Sequence, residues 1–300
     1  LRFSHDEFRL CQQEMSEIRF PEKSLCFTNE FEFMRQEVAE QFPGQIDGFN
    51  KLVKKILTFD ELDLDDSNRL MSRPVLESFI NDPVLIDMLF CPLMYYGNAR
   101  EGDMDFYQFV IMFKSIFIEG FSKPEGGMHY ILNLMADKFK ELGGELKMGS
   151  GVKTINASQG IVGSVTLEND EELATEAVLS SMGYVETLNR CEPFVAEAGT
   201  CKTGQLSFME SLFVVDKEPR DLGYDRSIVF FSIQSKFDYK VPEDLIDVSS
   251  GVLCCTNNFQ YPKPMKEGLI RLTNLASFGK WDRLVRKDYI TAKKECRGRA

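Results

Sequence analysis

Apolar residues recur at helical spacing twice in the first sixty positions. Phe31, Met34, Val38 and Phe42 mark one amphipathic helix, and Ile46, Phe49, Leu52, Val53 and Ile56 mark a second. Residues 1–60 are therefore expected to be mostly helical, with one extended piece at "SLCFTNE". From Pro74 to Phe121 the pattern changes. "DPVLIDMLFCPLMYYG" and "DMDFYQFVIMFKSIFIEG" are apolar on most faces. Such helices are either buried among others or line a greasy cavity, and core is the default. Their many Phe and Met residues keep the second reading open, because soft side chains suit long apolar ligands.

The stretch "KPEGGMHYILNLMADKFKELGGELKMGSGVKTI" (123–155) reads as loop, helix, glycine stop, strand, turn and strand. Met128, Ile131, Leu132, Met135, Phe139 and Leu142 fall on one helical face, which predicts a buried stripe. Gly143 suits the left-handed residue that closes a helix. "ELKM" alternates like a short strand, and Val152 and Ile155 carry the next one. "IVGSVTLEND" alternates as a further strand, and Ala177-Val178-Leu179 reads as an apolar strand running into Ser180-Ser181 and Gly183. Beyond residue 200 the texture becomes β. "QLSFMESLFVVD", "SIVFFSIQS", "GVLCCTNN" and "GLIRLTNLA" predict four strands of an antiparallel sheet, followed by a last helix after Trp281.

Composition narrows the function classes. The chain of 300 residues is 43% hydrophobic and 27% charged, enough to bury a core. A net charge of −12 argues against nucleic-acid binding. Eight cysteines are scattered without C-x-x-C or zinc-like spacing, which fits unpaired thiols in a reducing, cytoplasmic setting. Cys254 and Cys255 would point to opposite faces of a strand, so a bond between them would be strained. The acids of "FDELDLDDSN" suggest a cation loop. Counting from Asp63, however, Asn68 stands where an EF-hand needs glycine and Pro74 where it needs glutamate, so no metal is expected. Only His5 and His129 could serve a histidine-dependent nucleophile, and His129, at a helix start, is expected to be structural or solvent-facing. No P-loop and no G-x-G-x-x-G is present.

The segment from Lys123 to Gly183 resembles the core of the phytoene desaturase-like flavoproteins. This group of the amine-oxidase superfamily includes carotenoid desaturases, carotenoid isomerases and retinol saturases. The likeness rests on a Pro-x-Gly-Gly loop, a helix, a Gly-Gly exit, a strand ending Val-x-x-Ile, a hairpin, and a small-residue strand end. "FPGQIDGF", "LMYYGNAREGDMDFYQFVIMF" and "YPKPMKEGLIRLTNLASFGKW" extend it across nearly the whole chain. The resemblance implies an FAD cofactor. It places the adenine against the backbone of Val152, puts Ser180, Ser181 and Gly183 beneath the cofactor, and brings the Gly126-Gly127 loop to the flavin ring.

The resemblance also implies an α+β fold. An α/β FAD-binding part (1–44 and 121–200) would carry an inserted substrate domain of apolar helices and antiparallel sheet (45–120 and 201–280). Residues 281–300 would be a shortened C-terminal helix. The chain departs from the family in lacking both the dinucleotide fingerprint and the second glycine-rich flavin segment, so a fragment of a longer enzyme is expected. The implied chemistry is hydride transfer between flavin and a C–C bond of a long apolar polyene or isoprenoid, as desaturation, saturation or isomerisation. The helices from 82 to 121 would line or cap the tunnel, with a possible peripheral membrane contact. Such chemistry needs few protic side chains, and no catalytic residue is named. The alternative is a non-catalytic lipid-binding or interaction domain built on the same fold. A third reading is an unrelated acidic α+β protein.

Overall fold

The structure, a computed structural model, describes residues 3–60, 70–195 and 204–299. Asp63 and Asn68 of the acidic stretch lie outside the described residues. A short 3-10 turn, His5–Phe8, leads into β1 (Leu10–Gln12), β2 (Ser16–Arg19) and β3 (Ser24–Phe27). Helices α1 (Phe31–Gln41), α2 (Ile46–Leu57), α3 (Ser72–Glu77), α4 (Pro83–Gly97) and α5 (Phe106–Phe113) follow. A π-helical turn, Lys114–Ile118, connects α5 to β4 (Ser122–Pro124) and α6 (Gly127–Glu141). Next come β5 (Val152–Ser158), β6 (Ile161–Leu167), β7 (Glu172–Ala174), α7 (Tyr184–Leu188) and β8 (Cys191–Glu192). The chain finishes with β9 (Leu206–Val215), β10 (Ile228–Ser232), β11 (Ser250–Cys255), β12 (Gly268–Ser277), α8 (Phe278–Asp282) and α9 (Arg286–Arg299). The class is α+β.

The chain divides into two compact units. The small unit holds Leu132–Gly204, and the large unit holds Arg2–Ile131 with Gln205–Ala300. The division falls inside α6.

The large unit is built on a six-stranded sheet in the order β3-β2-β10-β11-β12-β9. The four strands expected after residue 200 are all present. The sheet is mixed rather than purely antiparallel, because β2 pairs with β10 in parallel, Ile18 opposite Phe230. Here the sequence reading of residues 1–60 needs correction: three strands precede α1. Strand β2 pairs locally with β3, but its parallel partner β10 lies more than two hundred residues away, so the local pattern does not announce that sheet. Tertiary pairing overrides local propensity. Ile18, Leu25, Phe27 and Phe230 are buried on one sheet face with the helical layer.

Helix α4 starts where the sequence says it should. Asp82 accepts hydrogen bonds from the Val84 and Leu85 amides at 2.9 and 3.3 Å, and Pro83 occupies the first turn. Every residue from Leu85 to Tyr95 is buried, so this all-round apolar helix is core, packed with α5 through Phe90 and Phe109. One charge enters with it. Asp87 accepts from Arg73 Nη2 at 2.9 Å and from the Phe237 amide at 3.1 Å, and the guanidinium lies 4.9 Å from the Phe90 ring centroid. Both carboxylate oxygens are thus partnered, as a buried charge requires. Among the described residues, no helix is long and apolar enough to cross a membrane.

The small unit has a four-stranded sheet in the order β7-β6-β5-β8. Helix α6 ends as its glycines imply. The Gly144 amide bonds the Phe139 carbonyl and the Gly143 amide bonds the Lys140 carbonyl, both at 2.9 Å, with Gly143 at φ +84°. This is the left-handed helix stop in which a Cβ would be strained. Three other expectations fail. The apolar stripe of α6 is uncovered: Leu132, Met135, Phe139 and Leu142 are all exposed. "ELKM" and Ala177-Val178-Leu179 are not strands. A strand exists only where a neighbour completes its ladder, and neither segment has one among the described residues. Met148 is 81% exposed and Leu179 is 102% exposed.

Candidate functional site

The face of the large sheet toward the helical layer carries a cleft of about 440 Å³. Strand alternation decides its walls. Val252 and Cys254 of β11, Arg271 and Thr273 of β12, and Phe208 and Glu210 of β9 project to this face, with Ser207 at its margin. Tyr95 and Tyr96, at the end of α4, complete it. The aromatic side is continuous: Tyr95 lies 5.8 Å from Phe208, and Tyr96 lies 5.7 Å from Phe230 and 5.4 Å from Phe121. The polar side is a small network. Glu210 accepts from Thr273 Oγ1 at 3.2 Å and sits 3.8 Å from Arg271 Nε. Tyr95 shares a 2.9 Å hydrogen bond with Ser250, and burial holds its phenol well above the ordinary range, so it stays neutral.

The strand that precedes the glycine loop sends one side chain to the same cleft wall. Strand β4 pairs with β1, Lys123 opposite Cys11, and Lys123 reaches back over the large sheet. Its Nζ lies 3.3 Å from Cys254 Sγ, 3.1 Å from Thr256 Oγ1 and 5.1 Å from the Phe259 ring centroid. The amine thus touches the cleft wall, and Gly126 and Gly127 follow three and four residues on. A Cβ on Gly126 would come within 2.8 Å of Tyr130 Cβ, and Gly127 holds φ +68° with nothing within 4 Å of its bare side. Both positions therefore demand glycine, and Gly127 presents naked backbone.

The other candidate residues lie in the small unit. Val152 opens β5, half-buried, paired with Leu167 of β6. On its other side β8 pairs only with Ile155 and Asn156, so the Val152 end of the strand has a neighbour on one side only. Ser180 is half-buried and shares a 2.7 Å hydrogen bond with Thr187, while Ser181 and Gly183 are exposed in the loop before α7. No hydrogen bond among the described residues joins Val152 to these three. His129 is exposed on α6. The seven described cysteines are free, and the described residues contain no cluster of metal-ligating side chains. Sequence reading missed Lys123, Glu210 and Arg271. The only available signal was strand alternation, which puts 210, 252, 254, 271 and 273 on one face once the pairing is known.

No protein-family model and no curated protein sequence matches the chain. Among solved structures it is similar to an oxidoreductase from Methanosarcina mazei, with a TM-score of 0.59 at 13% identity. It is also similar to the PF1083 protein from Pyrococcus furiosus, with a TM-score of 0.57 at 13% identity. Each match covers 96% of this chain and 64% of the other, so the chain spans less than two thirds of their length. At this identity the common property is the fold, and the chain shares it with an oxidoreductase.

Proposed function

We propose that the chain is the greater part of an FAD-dependent oxidoreductase that acts on a C–C bond of a long apolar polyene or isoprenoid. The observation that carries this reading is an aromatic cleft on a fold shared with an oxidoreductase, with Lys123, which leads into the glycine loop, touching the cleft residue Cys254. The residues fit part of the cofactor. Gly126 and Gly127 offer backbone for close approach of the isoalloxazine ring, and Val152 offers a strand end open on one side for the adenine. Ser180, Ser181 and Gly183 of the small unit are the further residues that the resemblance assigns to the cofactor. The pyrophosphate has no counterpart in the sequence, which contains no G-x-G-x-x-G. Further chain or a partner would supply it. The uncovered stripe of α6 and the exposed Leu146, Met148 and Leu179 support that view, since such a surface calls for a cover.

When bound, the flavin supplies the hydride chemistry. The chain's own residues orient and exclude water. Tyr95, Tyr96 and Phe208 would hold an apolar chain flat against the sheet, while the Glu210–Arg271 pair closes the polar side. A peripheral membrane contact would bring such a substrate within reach.

The test is anaerobic mixing of the FAD-loaded protein with a polyene and, separately, with a polar amine. Bleaching of the flavin by the polyene alone is the expected result. Bleaching by the amine alone would overturn the substrate class.

A further inference from the structure

We propose that Lys123 and Cys254 form a peroxide-driven covalent latch, a sulfenamide bond between Nζ and Sγ. The inference does not depend on the flavin reading. The two atoms are 3.3 Å apart and come from different sheets, β4 of the two-stranded sheet and β11 of the six-stranded one. Thr256 and the Phe259 ring hold the amine in place, and among the described residues no carboxylate forms an ion pair with it. Cys254 is buried, yet it lines the 440 Å³ cleft, so a small oxidant reaches it from the open side.

The chemistry balances in two steps. Peroxide oxidises the thiol to a sulfenic acid and is reduced to water (RSH + H₂O₂ → RSOH + H₂O). The deprotonated amine then attacks sulfur, the hydroxyl leaves with a proton as a second water, and an S–N bond replaces the S–O bond (RSOH + H₂NR′ → RSNHR′ + H₂O). Sulfenic acids condense in this manner with nearby nitrogen, and the flexible lysine stem closes the remaining gap. Two equivalents of an external thiol reverse it, releasing the amine and the cysteine thiol and leaving one external disulfide.

Selectivity follows from position. Cys255 faces the opposite side of the strand, where burial, then the neighbouring Cys254, pushes its thiol up to about 12. Cys11 sits opposite Lys123 in the β1–β4 register, its thiol raised by burial and then by Glu125. Among the described residues, neither has an amine at hydrogen-bond distance from its sulfur. The bond would tie the strand that leads into the Gly126-Gly127 loop to the cleft wall, so oxidation would tether that strand.

The experiment is peroxide treatment of the folded chain, then proteolysis and mass spectrometry with and without dithiothreitol. A thiol-reversible cross-link joining the Lys123 and Cys254 peptides is expected, with loss of two hydrogens. It should vanish in Lys123→Arg and in Cys254→Ser, and in the chain oxidised in urea. In Lys123→Arg the sulfenic acid should instead be trapped by dimedone, a readout that also shows the variant's Cys254 to be reachable. The proposal is overturned if Cys254 goes to sulfinic acid without the cross-link, pairs with Cys11 or Cys255, or stays reduced. Equal cross-linking in urea would overturn it as well.

Discussion

The two units of this chain treat the same raw material in opposite ways. In the large unit, Phe27, Phe49, Phe90, Phe109, Phe113 and Phe230 are fully buried in one core between sheet and helices. In the small unit, only Ile155, Ser164 and Leu167 are buried among the described residues. Its apolar positions are no fewer in kind: α6 alone presents Leu132, Met135, Phe139 and Leu142. The difference is in partners. The large sheet has a helical layer over one face, whereas the stripe of α6 and the segments around Leu146 and Leu179 have nothing on them. A sequence pattern predicts which face wants cover, and only the fold shows whether cover is present.

The sharpest way to break this contrast is to cut into each unit and compare. Phe113→Ala leaves a cavity between Phe109 and Phe117, whose rings lie 5.9 and 5.0 Å from it. It should cost about 3–5 kcal/mol in urea denaturation. A loss below about 1 kcal/mol would mean the core is not the tight cluster described. Asp87→Ala strips Arg73 and the Phe237 amide of their acceptor. Because the Arg73 side chain keeps 30% exposure, the loss should be less than for a fully buried pair, about 2 kcal/mol.

Alkali should select the large unit too. Burial pushes Cys255 from an ordinary value near 9 to about 12, and Tyr239 from about 10 to about 12. Each folded value lies above the unfolded one. The stability they contribute is therefore complete below pH 9 and lost as pH rises toward 12. Hydrogen exchange should show protection falling in β10, β11 and β12 across that window. An unchanged stability between pH 9 and 12 would remove this claim.

Smaller effects are expected in the small unit. Gly143→Ala forces a side chain into the left-handed region and should cost about 1–2 kcal/mol, read as faster exchange at the end of α6. Leu142→Ser and Leu179→Ser should change stability by less than about 0.5 kcal/mol, since neither side chain is covered. Both should reduce self-association in light scattering. A large destabilisation by either would show that the surface is in fact packed.

Much of this was legible in the sequence, and the boundary is physical. Helical spacing located α1, α2 and α6, all-round apolarity located α4 and α5, and β-rich runs between turn-rich stretches located β9 to β12. These signals are local, carried within one element. Strand β3 falls in the extended piece read at "SLCFTNE", whereas β1 and β2 were missed: β1 pairs with β4 and β2 runs parallel to β10, both distant along the chain. "ELKM" was over-read because alternation is necessary for a strand but the ladder needs a neighbour. The conformational demand at Gly126 and Gly127 was legible because glycine is a backbone statement in itself. Lys123 and the Glu210–Arg271 pair were not, since single charged residues in strands announce nothing until pairing places them on one face.

The most direct test of the account is a visible absorption spectrum of the protein expressed from its complete reading frame, before and after denaturation. The account predicts flavin bands that travel with the folded protein, and FAD released on unfolding. A folded, monodisperse protein that carries no flavin and takes up none when FAD is added would contradict it.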